Sequence, residues 1–411
     1  MSPKRSPLAP NRFPDLAPVA GVEIGAVVAR LRYSGRPDLM LLKAAPGTSV
    51  AGVLTRNAVT GAPVDWCRRR LKSGHARALV VTAGNANVLA GRDGARVCAE
   101  TAAAAAAALD CRAEDVLLAA TGVIGEVPVS APIAAGVRRA AGRLRPDAWR
   151  QAAAAIRTTD TFPKGASRRT EIDGRPVTIT GIAKGSGMIA PDMATMLAFL
   201  ATDAALPAAV LRACLRAANA ESFNCLTVDS DTSTSDTVLL FATGRGPRHR
   251  PVTTARDRRL GAFRAALTDC MADLARQIAR DGEGATKLIT VTVTGAAGAG
   301  DARAVARAVA ESPLVKTAIA GEDANWGRIA MAVGKAGARV HRDRLTIAIG
   351  GTVIAERGGV RPGYDEAVLG PHLAGREIEI AVGLGLGRGR ARFWTCDLTH
   401  GYIDINADYR S

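Results

Sequence analysis

Aromatic side chains are scarce in this chain of 411 residues: four Trp, four Tyr and seven Phe, 4% of the total. Its core must therefore be filled by small and branched side chains, chiefly Ala, Val and Leu. The five histidines stand singly. No His-Glu-x-x-His or comparable metal spacing occurs, so no metal centre is expected. The seven cysteines (Cys67, Cys98, Cys111, Cys214, Cys225, Cys270, Cys396) are odd in number and scattered, without a Cys-x-x-Cys. Reduced thiols in a cytoplasmic chain are the simplest reading. No apolar run reaches the roughly 18 residues of a membrane span. The opening MSPKRSPLAPNRFPDLAP also lacks the apolar stretch of about 7–15 residues that a secretory leader needs. A Walker loop, a Gly-x-Gly-x-x-Gly between strand and helix, and a Gly-x-Ser-x-Gly elbow are all missing, which argues against an ordinary serine hydrolase. Gly383–Gly389 has the wrong spacing for a dinucleotide fingerprint.

What is present fits a globular protein: 48% apolar, 22% charged, and 43 glycines suited to tight turns. The length suffices for two packed lobes. A net charge of +16 favours anionic partners. Its arginines, however, alternate with Asp and Glu along helical segments, and clusters such as Arg68-Arg69-Arg70 and Arg248-His249-Arg250 lie beside turns. No nucleic-acid motif accompanies them, so they read as solvated surface, with nucleic acid not expected as a partner.

Short apolar runs alternate with helical stretches, the pattern of an α/β (α+β) fold. Ala76–Thr82, Asp115–Thr121, Pro176–Ile182 and Ala194–Ala201 read as strands, the last two joined by the loop AKGSGMIAPDM. Ala95–Leu109 is Ala-rich and helical, and a helix follows Pro207 to Asn219. Leu260, Phe263, Leu267, Met271, Leu274 and Ile278 recur at helical spacing, ending near Gly282. Leu288–Thr294 alternates in period two and opens a more strand-rich region. The lobe boundary is placed near 285, giving lobes of 1–285 and 286–411.

Several polar segments could carry chemistry, and each also has an ordinary structural explanation. Lys184 and the glycines after it form a sharp loop, with Pro191 stiffening the approach to Thr195 at a strand start; a threonine there is commonly structural. Thr121-Gly122, directly after a strand, can form an oxyanion hole or a plain turn. Ser222 to Asp236 is dense in hydroxyls and carboxylates, either a polar-ligand site or an acidic turn network. Asp281–Lys287 places Glu283 in a Gly-flanked link. Thr158–Thr161 follows an Ala-rich helix, where capping is the simpler account. The tail, Ile405 to Ser411, is expected to fray.

Taken together, KGSGMIAPDMATMLAF (184–199), ATGVIGE (120–126), TTDTFPK (158–164), ESFNCLTVDSDTSTSD (221–236), GEGATK (282–287), GEDANWGRI (321–329) and INADYRS (405–411) resemble the ornithine acetyltransferase family of arginine biosynthesis, the ArgJ type. The blocks run from SGRPDL (34–39) to the last residue. The resemblance implies a layered αββα sandwich of the DmpA/ArgJ-like type with a smaller strand-rich C-terminal lobe. It also implies self-cleavage between Ala194 and Thr195 into chains 1–194 and 195–411, which remain associated as an α2β2 heterotetramer. Thr195 matches the nucleophile, and Thr121 and Gly122 match the oxyanion pair. Thr158, Lys184, Thr195, Glu283, Asn406 and Ser411 match the substrate contacts. The chain departs from the family at Ser411, where Thr is frequent, at Arg157, where an apolar residue is common, and at Asp192, where Asn is frequent.

The implied activity moves acetyl from N-acetylornithine to glutamate without a cofactor, acetyl-CoA remaining open as a co-substrate. The partners expected are these small molecules and the chain's own fragments. A self-processed aminopeptidase or amidase, which would hydrolyse the acyl-enzyme, is the nearest alternative.

Overall fold

Two six-residue runs, Leu197–Thr202 and Thr237–Ala242, are buried at every position. Strands of that kind occur where a sheet is covered on both faces. A computed structural model describes residues 5–190 and 196–408, which divide into two compact units.

The larger unit takes in Pro10–Asn224 and Thr232–Leu274. Its strands are β1 (Val22–Val27), β2 (Leu39–Ala44), β3 (Ser49–Leu54), β4 (Ala78–Asn85), β5 (Val116–Val123), β6 (Lys164–Ile172), β7 (Arg175–Lys184), β8 (Leu197–Thr202) and β9 (Thr237–Ala242). Its helices are α1 (Ala62–Arg70), α2 (Gly91–Leu109), α3 (Ser130–Ala141), α4 (Trp149–Ala155), α5 (Ala208–Ala220) and, as far as Leu274, α6 (Gly261–Arg280). One sheet has the order β1-β2-β4-β5 and the other β3-β9-β8-β7-β6. Between them Ile24, Leu42, Leu79 and Val81 meet Ile182, Leu197, Phe199 and Phe241, with Trp149 of α4 alongside. Each such side chain removed from water contributes about 1.5–3 kcal/mol.

Beyond the first sheet, Leu41, Val80 and Leu118 face Val97, Ala102 and Ala105 of α2 and Val137 of α3. Alanines let that helix lie close to the strands, which is why a chain poor in aromatics still packs densely. Beyond the second sheet, α5 packs on β3, and Leu274 of α6 sits over Gly181 of β7, where a Cβ would meet it at 3.3 Å. The layers are thus helix, sheet, sheet, helix, the αββα sandwich that the resemblance implied.

The sequence-derived strands and helices appear with small shifts in their ends. One shift matters. β7 runs on through Lys184, which pairs with Leu197 of β8, so Lys184 belongs to a strand rather than to the loop after it. Its stem is buried in the layer, and only a satisfied ammonium makes that tolerable.

The smaller unit takes in Cys225–Asp231 and the described residues from Ala275 onward, with those up to Ala9. It holds β10 (Leu288–Ala296), α7 (Ala299–Ala310), α8 (Pro313–Ala320), α9 (Trp326–Gly334), β11 (Thr346–Ile349), β12 (Thr352–Glu356), β13 (Gly359–Val360), α10 (Gly370–Leu373), β14 (Glu377–Gly383), β15 (Gly389–Cys396) and α11 (His400–Asp408). The strands form one sheet in the order β13-β12-β11-β14-β10-β15, with α7 packed on β10 and β15. The tail expected to fray is helical through Asp408. Among the described residues, no helix is long and apolar enough to cross a membrane.

Candidate active site

Lys184 is 3% exposed. Its Nζ donates to Thr121 Oγ1 and to Thr158 Oγ1, each at 3.2 Å. The structure therefore brings together three of the residues singled out from sequence. A hydroxyl that accepts from an ammonium keeps its own proton free to donate, and the cation beside it strengthens that donation.

Gly122 follows Thr121 at φ 128°, opposite Gly84 at φ 116°. A Cβ on Gly122 would lie 2.3 Å from the Gly84 carbonyl carbon and 2.7 Å from Asn85 N. Only glycine permits this backbone approach, and the β4–β5 register shifts there. The two strand ends therefore approach closely, backbone to backbone, at the residue after Thr121.

Behind Lys184 lies a buried charge cluster. Asp160 Oδ1 accepts from Lys164 Nζ and from Gly185 N, both at 2.7 Å, and its Oδ2 accepts from Thr158 N at 3.2 Å. Lys164 is fully buried and Asp160 is 3% exposed. Burial alone would raise the Asp160 pKa. The ammonium groups of Lys164 and Lys184, with the hydrogen bonds, outweigh it and hold the carboxyl well below the usual range. Asp160 thus fixes both Thr158 and the turn after Lys184. This does more than the helix cap expected for the Thr158–Thr161 segment. From outside, Arg36 donates to Arg157 O at 2.8 Å and Thr158 O at 3.1 Å. The half-buried Arg157 turns its guanidinium to the carbonyls of Ala154 and Asp160. Thr159 Oγ1 and Ser186 Oγ lie 2.6 Å apart, tying the two loops together.

A second buried carboxylate, Asp236, accepts from Met196 N at 2.8 Å through Oδ1, while its Oδ2 has no partner among the described residues. Burial pushes its pKa well above the ordinary value, against the Met196 N–H and the charge of Lys184. Among the described residues, the charge of Lys184 thus acts on two buried carboxyls, lowering the pKa of both Asp160 and Asp236 against their burial. The rest of the Ser222–Asp236 segment is largely a turn network: Thr55 Oγ1 donates to Ser233 O, Asn57 to Thr232 O, and Thr237 Oγ1 to Ser235 O. Thr195, Ala194, Asp192 and Ser411 lie outside the described residues.

The smaller unit holds a different arrangement. Asn406 Nδ2 donates to Glu283 Oε2 at 2.8 Å and to Tyr402 O at 3.0 Å. Gly284, at φ 73°, meets the turn into α11 so closely that a Cβ would lie 2.4 Å from Tyr402 N. Thr399 Oγ1 locks the same contact by donating to Gly284 O at 2.7 Å. Asp397, 2% exposed, accepts from Thr286 N and Lys287 N at 2.8 and 2.9 Å, anchoring the start of β10. Burial, then the carboxylates of Asp229, Glu283 and Asp231, push the Tyr402 hydroxyl above its ordinary pKa. It remains a phenol donating to Asp229 Oδ2 at 3.3 Å.

Sequence reasoning singled out Thr121, Gly122, Thr158, Lys184, Glu283 and Asn406. It assigned no role to Asp160, Lys164, Arg36 or Asp236. Two weak signals existed: an Asp–Lys pair four residues apart in TTDTFPK, and an acid immediately ahead of the apolar run TVLLFA.

Two hydroxyls sharing a buried ammonium at a glycine-lined strand end of an αββα sandwich can stabilise a developing oxyanion, as acyl transfer requires. The ArgJ family pattern matches residues 23–411. The arginine biosynthesis bifunctional protein ArgJ of Gluconobacter oxydans is 57% identical over 99% of this chain and 95% of its own length. The crystal structure of the protein of that name from Bacillus halodurans is 43% identical, covering 50% of this chain and 96% of that one, with a TM-score of 0.48. The ornithine acetyltransferase of Mycobacterium tuberculosis, crystallised with ornithine, is 34% identical over 43% of this chain and 93% of that one, with a TM-score of 0.38. The chain belongs to the ArgJ family.

Proposed function

We propose that this enzyme is a self-cleaving acetyltransferase that carries acetyl from N-acetylornithine to glutamate in arginine biosynthesis, working in the cytoplasm as an α2β2 assembly. The observation that carries the reading is the Lys184 ammonium shared by the Thr121 and Thr158 hydroxyls. The resemblance noted in the sequence supports Thr195 as the nucleophile and a scissile bond after Ala194.

In the precursor, Thr195 Oγ attacks the Ala194 carbonyl and the peptide nitrogen leaves. Water then hydrolyses the ester, giving a carboxylate on Ala194 and a free α-amine on Thr195. That amine has an ordinary pKa of about 8, far nearer neutrality than a lysine, and the charge of Lys184 lowers it further. It takes the Thr195 hydroxyl proton as Oγ attacks the acetyl carbonyl. Thr121 Oγ1 and the Gly122 N–H hold the oxyanion, a contribution of about 3 kcal/mol per donor. The carbon–nitrogen bond breaks, the proton passes to the departing ornithine amine, and acetyl remains as an ester on Thr195. Glutamate's amine attacks that ester, and N-acetylglutamate leaves with the hydroxyl restored.

Both amino acids carry an α-carboxylate, which suits a cationic anchor such as Lys184. The resemblance carries over Glu283, Asn406 and Ser411 as further substrate contacts, and the charge of Glu283 suits the side-chain ammonium of ornithine. Acetyl-CoA serves as a second donor to the same hydroxyl, and no bound cofactor is required.

Intact mass measurement tests the proposal. Wild type is expected as two fragments meeting between 194 and 195, and Thr195→Ala as one uncut chain. A full-length wild-type species that transfers acetyl defeats it. Ornithine release without N-acetylglutamate would instead identify a hydrolase.

A further inference from the structure

A cavity of about 910 Å³ opens in the larger unit beside β3. Its floor is Gly52, Val53 and Leu54, and its walls come from the end of α1 and from α5. Five cations line it: Arg56, Arg68, Lys72, Arg212 and Arg216, with no acidic residue among the lining groups. Arg68 pairs with Asp65 at 2.7 Å. Among the described residues, the side chains of the other four have no ion pair or hydrogen bond.

Cations commonly guard an exposed sheet edge, but they then stand on the edge strand itself. Here the strand residues in the floor are uncharged, and the cations converge on it from two helices and a loop. Arg212 and Arg216 stand four residues apart on α5, where like charges repel. A concave, unpaired positive surface of this kind concentrates anions.

Its position is informative. Leu54 pairs with Thr237, Thr237 with Leu197, and Leu197 with Lys184, so the floor of the cavity and the active-site lysine share one row across the sheet. Three strand spacings separate them, about 14 Å. The arm joining the thioester of coenzyme A to its diphosphate is as long as four or five extended residues, about 15 Å.

We propose that this cavity is an anion site that seats the phosphates of a nucleotide-bearing thioester donor, acetyl-CoA, with the acyl end reaching the Lys184 row. The inference rests on the reading of the site as an acetyl-transfer centre. In the step served, the acetyl carbon–sulfur bond breaks and a carbon–oxygen bond to Thr195 Oγ forms. The hydroxyl proton goes to the departing thiolate, which leaves as free coenzyme A.

The test uses the full-length protein and the double variant Arg212→Glu/Arg216→Glu. Calorimetric titration with coenzyme A and with inorganic tripolyphosphate is expected to show binding that weakens with salt, and at least tenfold further in the variant. The KM for acetyl-CoA should rise at least tenfold, while transfer from N-acetylornithine stays within twofold of wild type. Unchanged coenzyme A affinity in the variant overturns the proposal, as does an equal loss with both donors, which would mark a structural role. Tighter binding of a short RNA than of either phosphate probe also overturns it. If wild type does not turn over acetyl-CoA, yet tripolyphosphate binds and the variant loses it, the anion site stands and the donor assignment falls. Failure of the acetyl-transfer reading itself shows separately, as loss of the N-acetylornithine reaction in wild type.

Discussion

Asp160 and Asp236 are both buried carboxylates of the larger unit, and their surroundings give them opposite properties. Asp160 sits after α4 with an ammonium and two backbone N–H groups on its oxygens. Asp236 sits ahead of β9 with one N–H on one oxygen and, among the described residues, no partner on the other. Burial acts on both in the same sense, so the partners alone decide which is ionised. A carboxylate held as a charge organises a loop and balances lysines. One pressed toward neutrality by burial does not share that task.

The largest expected effect comes from removing the charge of Asp160. Asp160→Asn leaves Lys164 buried without its counter-ion, and should cost about 3–5 kcal/mol in chemical denaturation; a loss below 1 kcal/mol would show that the cluster is not what holds the loop. Because its folded pKa is depressed, the stabilisation from Asp160 is present above about pH 4 and is lost as pH falls through the folded value.

Lys184→Met comes next, with kcat for acetyl transfer falling by about 10²–10³, the scale of a lost oxyanion donor. A fall confined to KM would mean that Lys184 only binds substrate. Asp236→Asn should act in the opposite sense to Asp160→Asn. The raised pKa makes Asp236 destabilising as pH climbs from about 4 through the folded value. The variant should therefore gain about 2–4 °C in Tm at pH 8 relative to wild type and nothing at pH 4. Equal shifts at both pH values would contradict the assignment. The smallest effect on folding belongs to Glu283→Gln, in a pair that is half-exposed. Its Tm should stay within about 1 °C, while the KM for N-acetylornithine rises several-fold in steady-state assays.

Much of this was legible in the sequence. Ala-rich α2 and the apolar runs of β4, β5 and β8 announce themselves through composition and period. The hydroxyl and glycine motifs alone read as a turn and a helix cap, and it was the family resemblance that singled out Thr121, Gly122 and Thr158. What escaped was long-range pairing. Nothing local in TTDTFPK shows that Asp160 will meet Gly185, and nothing in SGRPDL shows that Arg36 will brace residues 157 and 158. Lys184 read as loop because lysine is rarely buried in strands. Its two hydroxyl partners come from segments 63 and 26 residues away. The tail read as frayed because its turn contacts at Gly284 are likewise distant in sequence.

The strand order β3-β9-β8-β7-β6 has a consequence for the proposed cleavage. A cut ahead of Thr195 assigns β3, β7 and β6 to the first fragment and β8 and β9 to the second. The second fragment's pair of strands is then clasped on both flanks by strands of the first, through the ladders Leu54↔Thr237 and Lys184↔Leu197 and those that continue them. Such pieces cannot be pulled apart without dismantling the sheet. They should melt as one body, and they should recombine only from a denatured mixture of both.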